Sequence, residues 1–410
     1  MTRTTGQVVL EKQGAFVRVR RPSYWLFVGC LAFGLVRLGT TIGGEYEGIA
    51  GALWMALIVN GIIAVLFSWI IGKLDLFEKE PASVRAAALC WGGLAAVAFS
   101  IISNNAALRV IADVEGLDWA RRWGPAIAGP LNEEWFKALG IVLLVLIVRE
   151  HFHRPIDGLI YGAMVGVGFQ VVENVTYAVN FALANPNNEW VGSIGVTVTR
   201  LLVAGPWSHP LYTAVAGLGI SYFVTQRNKT WARRATVVAV AYVVAVCMHG
   251  LWNMPLPQGL NPGLGILATY AKGLLILGLF AVLYLAAAGI EFRWFLSTMK
   301  GQPEEVITVE EFQDMRSLRA RRRARKRFAR RYGKQGETLL RRLQNAQVSL
   351  GESLAREQRR GGDPEAAPDV VASKRAIAEA RSQMEDLVPE PGGTESGKGD
   401  GKGKRRLFRR

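Results

Sequence analysis

The sequence predicts an all-α polytopic membrane protein, with about eight transmembrane helices and a basic, partly disordered cytoplasmic tail. Three observations point there. Up to about residue 290, apolar runs recur at the length of ~20 residues that a helix needs to cross a bilayer. Half of the 410 residues are hydrophobic and the mean hydropathy is positive, at +0.19. Charge is segregated: residues 291–410 hold 28 Lys and Arg against 18 Asp and Glu, a net +10 of the chain's +16. A soluble domain could not hide the apolar surface of the first part.

Residues 1–23 are polar and basic, without an early signal-peptide core, and read as a cytoplasmic N-terminus. The membrane domain, 24–290, then holds spans near 24–42, 49–72, 84–103, 125–148, 157–182, 208–224, 235–253 and 264–290. Residues 191–204 are apolar but short and carry Arg200; they read as an interfacial or re-entrant helix, or else as an extra span. Basic residues in short loops set the orientation. Arg18, Arg20 and Arg21 precede span one, Lys73, Lys79 and Arg85 follow span two, Arg149 and Arg154 follow span four, and Arg227, Lys229, Arg233 and Arg234 follow span six. The alternate loops are acidic or neutral, except that the loop 104–124 mixes Arg109, Arg121 and Arg122 with Asp113, Glu115 and Asp118. Both termini are then cytoplasmic. Cys30, Cys90 and Cys247 all fall in apolar runs and read as packing residues.

Within the tail, 291–410, residues 310–360 have helical character and contain a dense basic run over 319–331. Beside a last span, such a run reads as a contact for anionic lipid headgroups; nucleic acid is the weaker rival. Residues 361–410 are rich in Gly, Pro and charge, which predicts disorder apart from a helix near 369–388.

Candidate chemistry gathers in four spans. The fourth opens Pro130-Leu-Asn-Glu-Glu-Trp-Phe-Lys137, with Glu133 and Lys137 one turn apart and Glu134 turned toward a neighbouring helix. The plainest alternative is a helix end, with Asn132 as N-cap and both glutamates offsetting the dipole. The fifth span places Gly158, Gly162 and Gly166 on one face, a spacing that lets a neighbouring backbone come close. Farther along it carries Phe169, Glu173 and Asn174. The sixth places His209 and Thr213 on one face, and the seventh His249 and Asn253. His151 and His153 fall in a basic loop and read as solvated. Ionisable groups inside a bilayer are costly and usually functional. Counted along the helices, Glu133 lies roughly 12 Å below the outer surface, and Glu173 and His249 lie roughly 24 and 21 Å above the inner one. With His209 at the outer start of its span, all four fall in the outer half.

Such a cluster suits hydrolysis of a peptide bond. A carboxylate in low dielectric serves as general base toward water, a second ionisable group holds that water, and His and Asn donors stabilise the oxyanion. Alternatively, Glu133, Glu173, His209 and His249 hold a divalent metal such as zinc. The cofactor is therefore either none or a metal. The chain has no His-Glu-x-x-His, no Gly-x-Ser-x-Gly and no P-loop. Two rival classes remain: a proton-coupled transporter or channel with an intramembrane Glu/His relay, and a non-catalytic scaffold acting through its tail.

Glu133-Glu134-x-x-Lys137, Phe169-x-x-x-Glu173-Asn174, His209-x-x-x-Thr213 and His249-x-x-x-Asn253, in this order over residues 120–255, resemble the PrsW family of bacterial intramembrane endopeptidases. That family is related to the type II CAAX prenyl proteases and the bacteriocin-processing membrane proteases. The resemblance implies a multi-span protease of the bacterial plasma membrane acting on a membrane-anchored protein; the best-known role is the first, extracytoplasmic cut of an anti-sigma factor. It also implies Glu133 as the water-activating carboxylate with Glu134 beside it, and His249 and Asn253 as oxyanion stabilisers. Glu173 would position water, where the prenyl proteases carry a histidine. His209 would be a second catalytic or orienting imidazole. Lys137 would pair with a carboxylate, and Phe169, Asn174 and Thr213 would support the site.

Overall fold

In hydrocarbon a spanning segment must satisfy its own backbone polar groups, so long apolar runs become helices. The computed structural model, which describes residues 16–43, 46–74, 80–185, 189–204, 208–360, 363 and 366–387, contains helices and no strands among them. Two compact units are present, the first ending at Leu285 and the second running from Ala286.

The first unit holds α1 (Pro22–Gly43), α2 (Tyr46–Leu74) and α3, a composite of Ala82–Cys90, a π-helical stretch Trp91–Ala96 and Val97–Glu115. α4 (Leu117–Val148), α5 (Pro155–Ala184) and the short α6 (Glu189–Thr199) follow, the last ending in a π-helical turn, Arg200–Ala204. α7 (His209–Thr225), α8 (Trp231–Asn253) and α9 (Pro262–Met299) complete the series, with the end of α9 belonging to the second unit. Among the described residues, six helices are long and apolar enough to cross a membrane: α1, α2, α3, α5, α8 and α9. α4, which carries the charged triplet, and the 17-residue α7 bring the candidates to the expected eight.

Two expectations need correction. Residues 104–124 are not a loop. α3 continues to Glu115, the chain turns at Gly116 with φ 88°, a conformation glycine adopts freely, and α4 starts at Leu117. Asn132 is therefore mid-helix and caps nothing; the helix-end alternative for the two glutamates fails for the same reason. The apolar stretch read as short is a short helix, Glu189–Thr199, continued by a π-helical turn, Arg200–Ala204.

Glycines decide which helices touch. Along α5, a Cβ at Gly158, Gly162 or Gly166 would collide with the carbonyl oxygens of Gly217, Thr213 and His209 on α7. On the opposite side, a Cβ at Gly168 would collide with Leu89 O, and one at Gly92 with Val165 O. α5 is thus clamped between α3 and α7 at backbone contact, and most of it is buried. Trp91 fills the space beside Gly140, and its indole N–H donates to Phe136 O of α4 at 2.9 Å. α2 packs Ala52 and Ala56 against Val175, Ala178 and Ala182. The result is that α3, α4, α5, α7 and α8 meet around one buried polar centre.

The second unit has its own core, including Phe295, Met299, Met315, Leu343, Leu350, Val370 and Ile377. It is formed by the end of α9, α10 (Val309–Asp314), α11 (Leu318–Arg360, kinked at Tyr332 and Gly333) and α12 (Pro368–Glu385). Glu311 ties it together, accepting from Arg381 at 2.6 Å and from Gln347 at 2.9 Å. The helices expected at 310–360 and near 369–388 are present. The disorder expected elsewhere in 361–410 falls on 361–362, 364–365 and 388–410, outside the described residues. Most of the basic run is exposed, but Arg321 is buried; that desolvation, with Arg325 beside it, pulls its guanidinium down to about 10.

Candidate functional site

Each expected polar residue arrives at the centre on a different helix. α4 presents Glu133, Glu134 and Lys137, with Glu134 and Lys137 both at 0% exposure. α5 presents Phe169, Glu173 and Asn174, α7 presents His209 and Thr213, and α8 presents His249.

Glu133 is held by one oxygen and open at the other. Asn104 Nδ2 of α3 donates to its Oε1 at 3.0 Å, and Asn132 Nδ2 donates to Asn104 Oδ1 at 3.0 Å, which fixes the Asn104 amide. Glu133 Oε2 is buried and has no hydrogen-bond partner among the described residues. Around it stand Lys137 Nζ at 3.7 Å, His249 Nε2 at 3.8 Å and His209 Nδ1 at 3.9 Å.

Glu134, by contrast, is fully engaged. Its Oε1 accepts from Lys137 Nζ at 2.7 Å and from His249 Nδ1 at 3.0 Å, and its Oε2 accepts from Thr213 at 3.1 Å. Lys137 Nζ also donates to His209 Nδ1 at 2.8 Å and lies 4.1 Å above the Phe169 ring. An ammonium only donates, so His209 Nδ1 accepts and its Nε2 carries the proton, donated to Glu173 Oε2 at 3.0 Å. The same logic puts the His249 proton on Nδ1, toward Glu134. His249 Nε2 and Glu133 Oε2 are then two acceptors facing each other, an arrangement that suits a water molecule or a cation.

Glu173 stands behind His209. Arg200, from the π-helical end of α6, pairs with its Oε2 and also donates to Asn174 Oδ1, while its guanidinium lies 4.1 Å from the Tyr177 ring centre. Asn174 in turn donates to Asn60 of α2 at 3.0 Å. Asn253 lies at the edge of the cluster: its Nδ2 donates to Pro125 O at 3.1 Å. A Cβ at Gly129 would meet that Nδ2 at 3.3 Å and Glu133 Oε1 at 3.4 Å, so both flank one side of α4.

Glu133, His209 and His249 each offer a ligand atom within 4.8 Å of the others. Two imidazoles and a carboxylate form a donor set found in catalytic zinc sites, and each imidazole carries a carboxylate on its other nitrogen, as metal-binding histidines do. With the unpartnered Glu133 Oε2, this donor set fits a divalent ion. An ion taken through His209 Nδ1 competes with Lys137 for that nitrogen. Glu173, expected as a fourth ligand, is not in the group; it is occupied by Arg200.

Asn104 and Arg200 escaped the sequence reading. Asn104 sat in the supposed loop. Arg200 did carry a signal, a charge within an apolar stretch.

Comparison with known proteins agrees with the family resemblance. A model described as PrsW family intramembrane metalloprotease matches residues 80–301. Protease PrsW of Clostridioides difficile (strain 630) is 28% identical over 127 residues, 31% of this chain and 48% of that protein. Protease PrsW of Geobacillus kaustophilus (strain HTA426) is 25% identical over 179 residues, 44% of this chain and 69% of that protein. The chain thus spans about half the length of the first relative and about two thirds of the second. No solved structure matches the chain.

Proposed function

We propose that this chain, which belongs to the PrsW family of intramembrane metalloproteases, is an endopeptidase that hydrolyses a peptide bond in a membrane-anchored protein. The observation that carries this reading is Glu133 Oε2, a buried acceptor without a partner, facing both imidazoles.

In this mechanism Glu133 holds a water through Oε2 and takes its proton as it attacks the carbonyl carbon. Asn104 keeps Oε1 occupied, so Oε2 is the oxygen offered. Glu134 orients His249 and offsets the Lys137 charge, while Glu173 orients His209. Glu133, His209 and His249 would hold a divalent ion, which when bound supplies Lewis-acid polarisation of the carbonyl. The same proton returns to the departing amine. A transporter would spread its ionisable groups along a path through the bilayer, whereas Glu133, Glu134, Lys137, Glu173, His209 and His249 each lie within 3.7 Å of another member of the group.

The substrate class is a single-span protein, an anti-sigma factor by resemblance to the family, cut in the outer half of the bacterial plasma membrane with both termini of the enzyme cytoplasmic. The test uses purified protein in detergent and co-expressed, tagged single-span proteins, with and without a strong chelator. Cleavage lost in Glu133→Gln supports the reading, and sensitivity to chelator adds the metal. Cleavage that survives Glu133→Gln sinks it.

Arg200 is a positioning residue in this scheme. Arg200→Ala frees Glu173 to turn from His209, and turnover is expected to fall about 10- to 100-fold, the usual cost of losing an outer-shell partner. Arg200→Lys restores part of it, and KM stays near wild type; an unchanged turnover in Arg200→Ala removes Arg200 from the mechanism.

For the tail, the proposed partner is anionic lipid. Arg319, Arg322, Arg323, Lys326, Arg330 and Arg331 are exposed along the first half of α11. A fragment of residues 286–410 is expected to bind phosphatidylserine vesicles at low salt and to release as salt rises. Replacing these six residues by Gln should abolish binding, and equal binding to neutral vesicles would discard the lipid partner.

A further inference from the structure

Tyr212 follows His209 by one helical turn on α7 and is fully buried, at 0% exposure. Its ring stacks on His249 at 5.0 Å and 21°, and it meets His209 nearly edge-on at 5.8 Å. Its hydroxyl has no hydrogen-bond partner among the described residues. Buried phenols ordinarily find one, because a hydroxyl stripped of water and left unbonded costs stability. The other polar groups of the cluster are committed among themselves: Lys137 to Glu134 and His209, Thr213 to Glu134, Glu173 to Arg200 and His209.

Two unpartnered polar atoms therefore accompany the two imidazoles, an acceptor at Glu133 Oε2 and a hydroxyl at Tyr212. Hydrolysis by an activated water asks for that pair: a base for the water, and a donor for the oxygen that becomes negative. The donors expected for the second task are already engaged. His249 Nδ1 is bonded to Glu134, its Nε2 carries no proton in that tautomer, and Asn253 Nδ2 donates to Pro125 O.

We propose that Tyr212 is a catalytic residue whose phenol O–H donates to the carbonyl oxygen of the scissile peptide. This rests on the endopeptidase reading above. As the water oxygen bonds to the carbonyl carbon, a water proton passes to Glu133 and the carbonyl π pair moves onto oxygen. Tyr212 strengthens its hydrogen bond to that oxygen and keeps its own proton. When the C–N bond breaks, the pair re-forms the carbonyl and the amine takes the proton from Glu133.

Tyr212→Phe removes only the hydroxyl. Purified full-length protein would be assayed for kcat and KM on a tagged single-span protein that wild type cuts and Glu133→Gln does not. Loss of one oxyanion donor predicts a fall in kcat of about 10²- to 10³-fold, with KM within about threefold of wild type. The thermal midpoint should not fall, since the hydroxyl has no hydrogen-bond partner among the described residues. A kcat within about threefold of wild type overturns the proposal, as does a loss of turnover that tracks a lowered midpoint. If the wild type cuts none of the tagged proteins, the endopeptidase reading itself fails, an outcome distinct from an active Tyr212→Phe.

Discussion

Glu133→Gln is expected to abolish cleavage while leaving the helices folded. The amide oxygen of Gln can still accept from Asn104, which bonds Glu133 Oε1 at 3.0 Å in the native protein. Lys137 keeps its contacts to Glu134 and His209 at 2.7 and 2.8 Å, so no buried charge is stranded. What changes is the second oxygen. An amide nitrogen replaces Oε2, and it can neither take a proton from water nor ligate a cation. Loss of a general base costs about 10²- to 10⁴-fold. Thermal unfolding in detergent should match wild type within a few degrees. Unfolding of the variant would mean that Glu133 is chiefly structural. Glu134→Gln should behave differently: Glu134 accepts from Lys137, His249 and Thr213 at once. An amide in its place cannot accept at both ends, so folding and turnover fall together.

Gly166→Val is expected to lose both stability and activity, although the residue carries no chemistry. A Cβ there would collide with His209 O on α7. The two helices must move apart, and overpacking of this kind costs about 1–3 kcal/mol. The displaced backbone is that of His209 itself, so the imidazole leaves its contacts with Lys137 and Glu173, at 2.8 and 3.0 Å. A shift of about 1 Å in a catalytic group can cost 10²-fold in rate. Gly61→Ala on α2 is the control. A Cβ at Gly61 meets nothing within 4 Å, and alanine favours the helix, so stability should hold or rise slightly. A Gly166→Val variant that melts and cleaves like wild type would contradict the close approach of α5 to α7.

The glycine stripe shows how far the sequence could reach. Spacing of four residues announced that α5 offers a close face, but not which helix takes it. α7 does, and because its contact runs through the His209 backbone, helix packing and the placement of that imidazole are one feature. The site residues were legible for a related reason. A carboxylate or imidazole is so costly in hydrocarbon that its position in an apolar run is conspicuous, and Glu133, Glu134, Glu173, His209 and His249 all came together as expected. Asn104 was hidden because a mixed-charge stretch read as a loop, when in fact α3 runs on to Glu115. Tyr212 was hidden because a tyrosine among apolar residues is ordinary; only the lack of a partner for its hydroxyl marks it.

The sequence by itself determined the helical membrane architecture, the basic tail and the identity of the polar residues at the centre. These follow from local terms, hydropathy over ~20 residues and the cost of burying charge, which need no knowledge of neighbours. Only the tertiary structure decided their division of labour. Glu133 and Glu134 are adjacent and chemically identical, yet one ends with an open oxygen and the other with both oxygens engaged. That difference is set by Asn104, Thr213 and His249, which arrive from three other helices, and pairing between distant segments is written in packing and not in local pattern.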